Sequence, residues 1–230
     1  MIRLGIRSYL RNQLARRRLR AIFEELREFT MIDESSFCDN LQLSEMVQNL
    51  SGCIIECGVW RGGMAAGMSR ILGPDRTYFL FDSFEGLPPA QAIDGQAAIE
   101  YQANKNSPYY YDNCTAPPEF AIRAMNKMGA RSFYLKQGFF ENTLPNFTPP
   151  EPIALLRLDG DWYESTMTCL RHLFEHVTPG GIVILDDYYT WDGCSRALHD
   201  FLSERKTTER IRTFGSVCYL IKQNSEEKPT

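Results

Sequence analysis

Two groups of aspartates follow apolar runs with a spacing that suits a metal site. The stretch "LLRLDGDWYES" places Asp159 and Asp161 after one run, and "GIVILDDYY" places Asp186 and Asp187 after another. If the two runs are adjacent parallel strands, these carboxylates meet at one edge of a sheet and repel one another unless a cation neutralises them. Oxygen ligands suit a hard ion such as Mg²⁺. We therefore predict Asp159, Asp186 and Asp187 as metal ligands, and Asp161, beyond the strand end, is the weakest candidate.

A glycine-rich stretch, "IIECGVWRGGMAAG", forms a second candidate site. Gly58, Gly62 and Gly63 allow a tight turn and close approach of a ligand to the backbone. The stretch lacks the GxGxxG spacing of a dinucleotide loop and the GK[ST] of a phosphate loop, and Glu56 at the strand end would repel a pyrophosphate. The natural partner of Glu56 is a cation or a hydrogen-bond donor, such as the amino group of S-adenosylmethionine.

Two further strand ends complete the predicted donor site. Asp82 ends "TYFLFDS", 20 residues after Gly62, where a carboxylate can accept hydrogen bonds from both hydroxyls of a ribose. NAD also offers a ribose diol, so it is Glu56 that favours S-adenosylmethionine. At "KQGFF", the residues Gln137, Gly138 and Phe139 would border the adenine by polar contact and stacking; the alternative is an ordinary β-to-α loop.

Together the two sites suggest transfer of a methyl group to a hydroxyl. A metal ion would lower the pKa of the substrate hydroxyl, and Asp159 would accept its proton either as a ligand or from beside the metal. The oxygen would then attack the sulfonium methyl group in line, with most of the rate gain coming from alignment. The opposing interpretation is that Asp186 or Asp187 caps the next segment and Asp159 is a turn residue.

Strands and helices alternate around these residues. Apolar, β-rich runs occur at 53–57, 77–82, 131–135, 153–158 and 181–186, and helical patterns at about 63–72, 117–128, 139–144, 163–177 and 192–205. This alternation predicts an α/β fold with a doubly wound, mostly parallel sheet and helices on both faces. Residues 210–222 predict an antiparallel pair around Gly215 at one end of the sheet.

The chain divides into an N-terminal helical extension (1–51), a catalytic domain (52–223) and a tail (224–230). Helices are predicted at 3–29 and at roughly 40–50. Within 83–116 there is little periodicity but four tyrosines, at 101 and 109–111, which favours a substrate lid over a decorative loop. A basic cluster in the first helix suits an anionic membrane or an acidic partner, although a solvated face or a helix that docks another subunit is favoured; it comprises Arg16, Arg17, Arg18 and Arg20.

Composition sets the broad class. The 230 residues are 43% hydrophobic and 23% charged, enough for a packed core, and the net charge of -4 gives no indication of nucleic-acid binding. Seven cysteines without CxxC pairs indicate a reduced compartment. Neither a signal peptide nor the roughly 20 apolar residues of a membrane helix is evident, so we expect a cytoplasmic protein without membrane insertion.

One motif suggests a different chemistry. "HLFEH", from His172 to His176, matches the HxxEH pattern of inverted zinc proteases. On a helix, Leu170, Leu173, Phe174 and Val177 would share one face, so that His172, Glu175 and His176 would point largely to solvent. We therefore interpret the motif as a surface feature, and His199, in the last helix, as a surface or packing residue.

Five motifs, in order along residues 52–222, resemble the macrocin O-methyltransferase family. They are "IIECGVWRGG", "FDSFEGLP", "GFFENTLP", "LRLDGDWYEST" and "TPGGIVILDDYY". The resemblance implies a seven-stranded, Rossmann-like class I methyltransferase that uses S-adenosylmethionine and Mg²⁺ to methylate sugar hydroxyls of antibiotics, and it implies a homo-oligomer. It also implies metal ligation by Asp159, Asp186 and Asp187, with Asp159 as a candidate base. The predicted donor-binding residues are Glu56, Gly58, Val59, Trp60, Gly62, Gly63, Asp82, Ser83, Gln137, Gly138 and Phe139.

The chain departs from that family in one segment. The family usually carries a histidine between the second and third strands, where it helps to form the acceptor pocket, but residues 83–130 contain none. The sequence therefore does not identify the acceptor beyond a small hydroxylated molecule. Sugars and catechols are the first compounds to test. Two other function classes stay open at this point: a nicotinamide-dependent oxidoreductase and a non-catalytic binding module.

Overall fold

A seven-stranded mixed sheet forms the centre of the molecule. The computed structural model describes the backbone of residues 2–224 and the side chains of residues 14–224. The strands are β1 (Cys53–Cys57), β2 (Thr77–Asp82), β3 (Ser132–Gln137), β4 (Ile153–Leu158), β5 (Val177–Leu185), β6 (Arg212–Phe214) and β7 (Val217–Ile221). The helices are α1 (Ile2–Leu26), α2 (Glu34–Ser44), α3 (Gly63–Leu72), α4 (Gln96–Ala103), α5 (Pro118–Lys127), α6 (Phe140–Thr143), α7 (Tyr163–Leu173) and α8 (Asp192–Arg205).

The strand order is β3-β2-β1-β4-β5-β7-β6. The first five strands run parallel. β7 pairs antiparallel with β5 on one side and with β6 on the other, and the turn at Gly215 joins β6 to β7. The order reverses between β1 and β4, and ligands of open α/β sheets bind outside the strand ends at such a switch point. The predicted doubly wound α/β sheet with a terminal antiparallel pair is confirmed.

Helices cover both faces of the sheet, because the parallel strands are apolar on both sides. One buried cluster joins α1, α2, α3 and α5 to the sheet, and Leu26, Phe37 and Leu41 of the N-terminal segment are fully buried in it. The second cluster joins α6, α7 and α8 to the opposite face. The helices of the N-terminal extension therefore pack into the same core as the sheet.

The prediction of a helix at 40–50 was wrong in its position. α2 starts at Glu34 because the Asp33 side chain caps it, accepting hydrogen bonds from the backbone N–H groups of Ser35 and Ser36 at 2.8 and 3.1 Å. A single 3₁₀ turn, Glu45–Val47, follows it. The earlier start brings Asn40 into the middle of a buried helix instead of its first turn.

The basic cluster of α1 faces the neighbouring helix of the same chain. Arg16 lies 3.8 Å from Asp39, Arg18 3.6 Å from Glu45 and Arg20 2.9 Å from Glu34. Exposed pairs of this kind contribute little stability each. These pairs nevertheless give three of the four arginines of the basic cluster a partner within the chain.

The segment around residue 177 also differs from the prediction. α7 ends at Leu173, a 3₁₀ turn covers Phe174–His176, and β5 begins at Val177. The helical pattern was predicted to continue to 177 and the strand to begin at 181. The strand begins earlier because Val177 pairs with Ile153 across a register shift, which periodicity within the segment does not reveal.

Residues 83–116, the predicted lid, contain one helix that the sequence did not indicate. α4 buries only Ala98, so it has no apolar stripe to detect. Polar contacts anchor it instead: the Gln102 side chain donates to the carbonyl oxygen of Pro88 and accepts from the N–H of Ala90. Trp162 Nε1 donates to the same Pro88 oxygen, which ties the segment to the start of α7.

The remaining general features concern thiols and hydrophobic helices. All seven cysteines are free, and six of them are buried. None of the helices in the described part of the chain has both the length and the hydropathy needed to cross a bilayer. Residues 225–230, most of the predicted tail, lie outside the described residues.

Candidate active site

A cavity of about 750 Å³ lies at the carboxyl ends of the central strands. Its floor comes from the loops that follow β1, β2, β4 and β5. Residues 29–33, before α2, form one wall, and the predicted lid forms another through Tyr101, Tyr109 and Tyr111. The N-terminal extension therefore contributes directly to the candidate site.

Asp159, Asp186 and Asp187 meet at the base of this cavity. One carboxylate oxygen of each lies within 4.8 Å of those of the other two, and among the side chains of residues 14–224 this is the one group of its kind. Opposite ligands of an octahedral Mg²⁺ are about 4.2 Å apart, so the three oxygens could bind one such ion after small side-chain movements. The adjacency of β4 and β5, predicted from the sequence, is what brings the three together.

Burial and mutual repulsion disfavour the charged forms of this cluster. Burial is the main factor that raises the pKa of Asp159, and burial together with the neighbouring aspartates raises that of Asp187 well above its ordinary value. A divalent cation would relieve both effects. The residues therefore fit Mg²⁺ by donor type, spacing and electrostatics.

Asp161 takes a different role from the three clustered aspartates. Its backbone is left-handed (φ 56°), its N–H donates to Asp187 Oδ2 at 3.1 Å, and its Oδ1 accepts from Trp191 Nε1 at 2.8 Å. It lines the cavity but lies outside the group of three. This agrees with its place as the weakest of the four candidates.

A fully buried arginine, Arg157, lies beneath the carboxylates. Its Nη1 donates to Glu56 Oε1 at 2.6 Å and to Asp159 Oδ2 at 2.8 Å, and its Nη2 lies 2.8 Å from Asp186 Oδ1. Burial alone would lower the pKa of Arg157, but the three carboxylates raise it well above its ordinary value. One guanidinium thus joins the strand end of β1 to the aspartates after β4 and β5.

Glu56 pairs with Arg157 through only one of its two carboxylate oxygens. Burial raises the pKa of Glu56 to about 8, although Arg157 opposes the shift. Its Oε2 is buried and has no hydrogen-bond partner among the described residues. Glu56 lines the cavity but is only 2% exposed, so a hydrogen-bond donor on a ligand would have to reach this oxygen at the cavity floor.

Asp82 holds the glycine loop. Its Oδ2 accepts from the backbone N–H groups of Val59 and Trp60, each at 2.7 Å, and its Oδ1 accepts from that of Phe84 at 2.7 Å. A carboxylate offers about four acceptor positions, so one position on Oδ1 is free for a ligand. The sequence predicted a ribose contact at this residue and did not reveal these loop contacts.

Gly58 fixes the distance between the loop and the metal ligands. Its φ is +87°, and a Cβ at this position would overlap the backbone carbonyl oxygen of Asp159. Gly58 donates its N–H to Phe81, and Asp159 donates its own to Cys57, so the three strand ends are linked through the backbone. The donor loop and the aspartates are therefore in direct contact.

Not every predicted donor residue borders the cavity. The lining includes Glu56, Gly58, Val59, Trp60, Gly63, Asp82, Ser83 and Phe139, but not Gly62, Gln137 or Gly138. Gly62 packs instead against α5, where a Cβ would come within 2.7 Å of Ala121 Cα. Gln137 is exposed at the end of β3.

Aromatic side chains enclose the opening of the cavity. The Trp60 and Tyr111 rings meet edge to face with centroids 6.3 Å apart, and Tyr101 packs on Trp191 at 5.5 Å. Tyr109 is 72% exposed and Tyr189 is 57% exposed. Half-exposed aromatic rings around a cavity suit a ligand with an apolar face.

Two buried residues of the site escaped the sequence analysis: Arg157 and Asn40. Arg157 could have been found, because it is in the strand that precedes Asp159 and lies two residues before it, which in extended chain puts both side chains on one face. A cation in an otherwise apolar strand requires a buried anion as partner. Asn40 carried no such signal, because its partners are distant in sequence.

The histidine motif lies away from the cavity. Leu170, Leu173, Phe174 and Val177 are buried, as their predicted common face requires. Of the three polar residues predicted to face solvent, Glu175 and His176 are exposed and His172 is half-buried. Glu175 pairs with Arg205 and with Lys222. His199 is also exposed, and its Nε2 lies 2.9 Å from the Tyr188 hydroxyl.

Two relatives of the chain are both O-methyltransferases. The chain is 34% identical over 173 residues to the 8-demethyl-8-(2,3-dimethoxy-alpha-L-rhamnosyl)-tetracenomycin-C 4'-O-methyltransferase of Streptomyces olivaceus, covering 71% of this chain and 64% of the relative. It is 34% identical over 171 residues to the demethyldecarbamoylnovobiocin O-methyltransferase of Streptomyces niveus, covering 72% and 63%. The matched regions thus span somewhat less than two thirds of these relatives.

The fold has a solved counterpart in the O-methyltransferase NovP. The two structures superpose with a TM-score of 0.71 at 28% identity, covering 85% of this chain and 83% of NovP. The fold is therefore that of class I methyltransferases, as the sequence predicted. The family model for macrocin O-methyltransferase (TylF) matches residues 14–223, nearly the whole chain, and the chain belongs to that family.

Proposed function

We propose that the protein transfers the methyl group of S-adenosylmethionine to a hydroxyl of a small molecule, a sugar or natural-product intermediate, in a Mg²⁺-dependent reaction. The observation that carries the proposal is the cluster of Asp159, Asp186 and Asp187 in the same cavity as the glycine loop. A donor pocket in contact with a hard-cation site suits transfer to a weakly acidic hydroxyl, because the cation would make the hydroxyl more acidic and the pocket would align the two reactants.

The donor side is supported by the groups that face the cavity after β1 and β2. The unpartnered Glu56 Oε2 suits the ammonium group of the donor's methionine part, directly or through water. The free acceptor position on Asp82 suits one ribose hydroxyl, and Ser83 lies beside it. The Phe139 ring lines the cavity where stacking on adenine is proposed.

The metal side is supported by residues that would hold the ion and move a proton. Asp159, Asp186 and Asp187 would supply the ligands, and Mg²⁺ would make the acceptor hydroxyl more acidic. The Asp159 side chain is 26% exposed, which allows it to reach an acceptor. We assign it the role of accepting the hydroxyl proton, while Arg157 fixes its orientation.

The acceptor is a neutral or cationic compound with an apolar face. Every charged side chain in the described lining of the cavity is acidic: Asp33, Glu56, Asp82, Glu141, Asp159, Asp161, Asp186 and Asp187. Mg²⁺ would offset the charge of three of these residues, and the other five, all acidic, still disfavour a sugar that carries a nucleoside diphosphate. The aromatic rim favours a glycoside with a flat aglycone, and the name of the S. olivaceus relative specifies a rhamnosyl tetracenomycin.

Methyl transfer from labelled S-adenosylmethionine tests this proposal. Purified protein is incubated with panels of glycosides and catechols, with Mg²⁺ or with EDTA, and methylated products are detected by mass spectrometry. We expect turnover with Mg²⁺ that EDTA abolishes, and faster turnover of a glycoside than of its nucleotide-linked sugar. EDTA-resistant methylation would contradict the role of the metal.

If no compound in the acceptor panel is methylated, donor binding measured by calorimetry still tests the donor part of the proposal. S-adenosylmethionine should bind and NAD should not. Preference for NAD would replace this function by that of a nicotinamide-dependent oxidoreductase. That the protein forms a homo-oligomer remains a prediction, which light scattering would test. Its cytoplasmic location is also a prediction, which cell fractionation would test.

A further inference from the structure

Asn40 connects the N-terminal extension to the metal ligands. Its Nδ2 donates to Asp186 Oδ1 at 2.9 Å, and its Oδ1 accepts from Arg157 Nε at 3.1 Å. The side chain is fully buried in the middle of α2. Asn40 therefore contacts one carboxylate of the cluster and the arginine beneath the cluster, although it does not line the cavity.

Each of the three clustered aspartates has one oxygen held by a donor from the chain. Asp159 Oδ2 accepts from Arg157, Asp186 Oδ1 accepts from Asn40, and Asp187 Oδ2 accepts from the N–H of Asp161. Among the described residues, no N–H group donates to the second oxygen of any of the three. Holding one oxygen fixes the carboxylate plane and leaves the other oxygen to coordinate.

We infer that Asn40 and Arg157 are positioning residues that set the divalent-cation affinity of the site, so that the N-terminal extension is part of its metal-binding machinery. The inference rests on the proposed function. Outer hydrogen bonds of this kind orient metal ligands and typically contribute about 10–100-fold in affinity. Asp186 is the ligand nearest to both residues, because its Oδ1 accepts from Asn40 and lies 2.8 Å from the Nη2 of Arg157.

The arginine acts on both halves of the site. It reaches Asp159 and Asp186 on the metal side and Glu56 on the donor side. A lysine would keep the charge but could not hold three carboxylates with one fork. Asn40 accepts the remaining Nε donor and so fixes the guanidinium plane.

Mn²⁺ titration followed by electron paramagnetic resonance tests the inference without requiring turnover. The variants are Asn40→Ala, Asn40→Leu, which fills more of the buried volume, and the matched control Ser44→Ala. Ser44 is buried in the same helix, where its hydroxyl donates to the Asn40 carbonyl oxygen, away from the carboxylates. Urea unfolding of each variant confirms that the protein tested is folded.

We expect the Kd for Mn²⁺ to rise about 10–100-fold in the Asn40 variants and to stay at the wild-type value in Ser44→Ala. The Kd for S-adenosylhomocysteine should stay at the wild-type value in Ser44→Ala, whose side chain contacts neither Arg157 nor the carboxylates. Folded Asn40 variants that bind Mn²⁺ as tightly as the wild type would overturn the inference. Failure of the wild type to bind Mn²⁺ would instead overturn the metal part of the proposed function.

Wild-type protein provides a measurement that does not depend on the folding of any variant. With ¹⁵N-asparagine labelling, the Asn40 side-chain amide should shift on addition of Mg²⁺, because Asp186, which accepts its hydrogen bond, changes its charge environment. An unshifted Asn40 resonance at saturating Mg²⁺ would contradict a role in metal binding.

Discussion

Replacement of Gly58 by alanine tests whether the donor loop and the metal ligands are held together by backbone contact. The left-handed conformation at φ +87° costs a residue with a Cβ about 1–2 kcal/mol. The Cβ would also overlap the carbonyl oxygen of Asp159, and overpacking against a close-packed interior adds about 1–3 kcal/mol. The free energy of unfolding should therefore fall by about 2–5 kcal/mol.

Gly129→Ala is the matched control for this prediction. Gly129 has a similar φ of +78°, but a Cβ there meets nothing within 4 Å, so only the conformational cost of about 1–2 kcal/mol applies. In a chain of this length each kcal/mol lowers the melting temperature by about 2–4 °C. We expect Gly58→Ala to melt about 2–12 °C below Gly129→Ala, the difference that the overlap alone predicts.

Differential scanning fluorimetry and calorimetry measure the two consequences. The melting temperature reports the cost in stability, and titration with S-adenosylhomocysteine reports whether the loop still binds the donor. Gly58→Ala should lose donor affinity and Gly129→Ala should keep it. Equal melting temperatures and equal donor affinity in the two variants would refute the contact between Gly58 and Asp159 as the reason for glycine.

Three further predictions concern individual carboxylates. Asp187→Asn should abolish Mg²⁺-dependent turnover, because it removes a proposed metal ligand, while S-adenosylmethionine still binds in calorimetry; unchanged turnover would exclude it as a ligand. Asp82→Asn should raise the Kd for the donor about tenfold or more by weakening charged hydrogen bonds to the loop, and an unaltered Kd would remove Asp82 from the donor site. The melting temperature of the cation-free protein should fall as pH rises from about 5 to 8, because folded Glu56 keeps its proton up to a pKa of about 8 whereas the unfolded residue, with a pKa of 4.5, releases it; Glu56→Gln should reduce this slope, and an unchanged slope would contradict the assigned pKa.

The sheet could be predicted because its strands are short apolar runs ended by polar residues. The bounds of β1, β2 and β4 match the sequence prediction, as do those of α3 and α8. In these segments burial and local preference agree. The carboxylate cluster followed from strand adjacency, and this adjacency is confirmed.

Elements without an apolar stripe could not be predicted in this way. α4 is held by side-chain contacts to its own loop, and the start of α2 depends on the cap at Asp33. The N-terminal extension was treated as an addition to the catalytic domain, yet it supplies Asn40 and one wall of the cavity. Tertiary contacts of this kind are not encoded in local periodicity.

The pairing of Glu56 with Arg157 shows the same limit at the site itself. The carboxylate was expected to await a ligand cation, whereas one of its oxygens already pairs with an arginine of the chain. The two residues are register partners on β1 and β4, which is apparent only once these strands are known to be neighbours. The second carboxylate oxygen of Glu56 has no partner among the described residues, so the hypothesis that it binds a ligand can still be tested.

The position of a bound divalent ion tests the central claim most directly. Crystals grown with Mn²⁺ and S-adenosylhomocysteine would be measured at the manganese absorption edge, where anomalous scattering locates the metal. We predict a single peak bounded by carboxylate oxygens of Asp159, Asp186 and Asp187, beside the sulfur of the bound product. A peak elsewhere, or no peak in crystals whose donor site is occupied, would contradict the account.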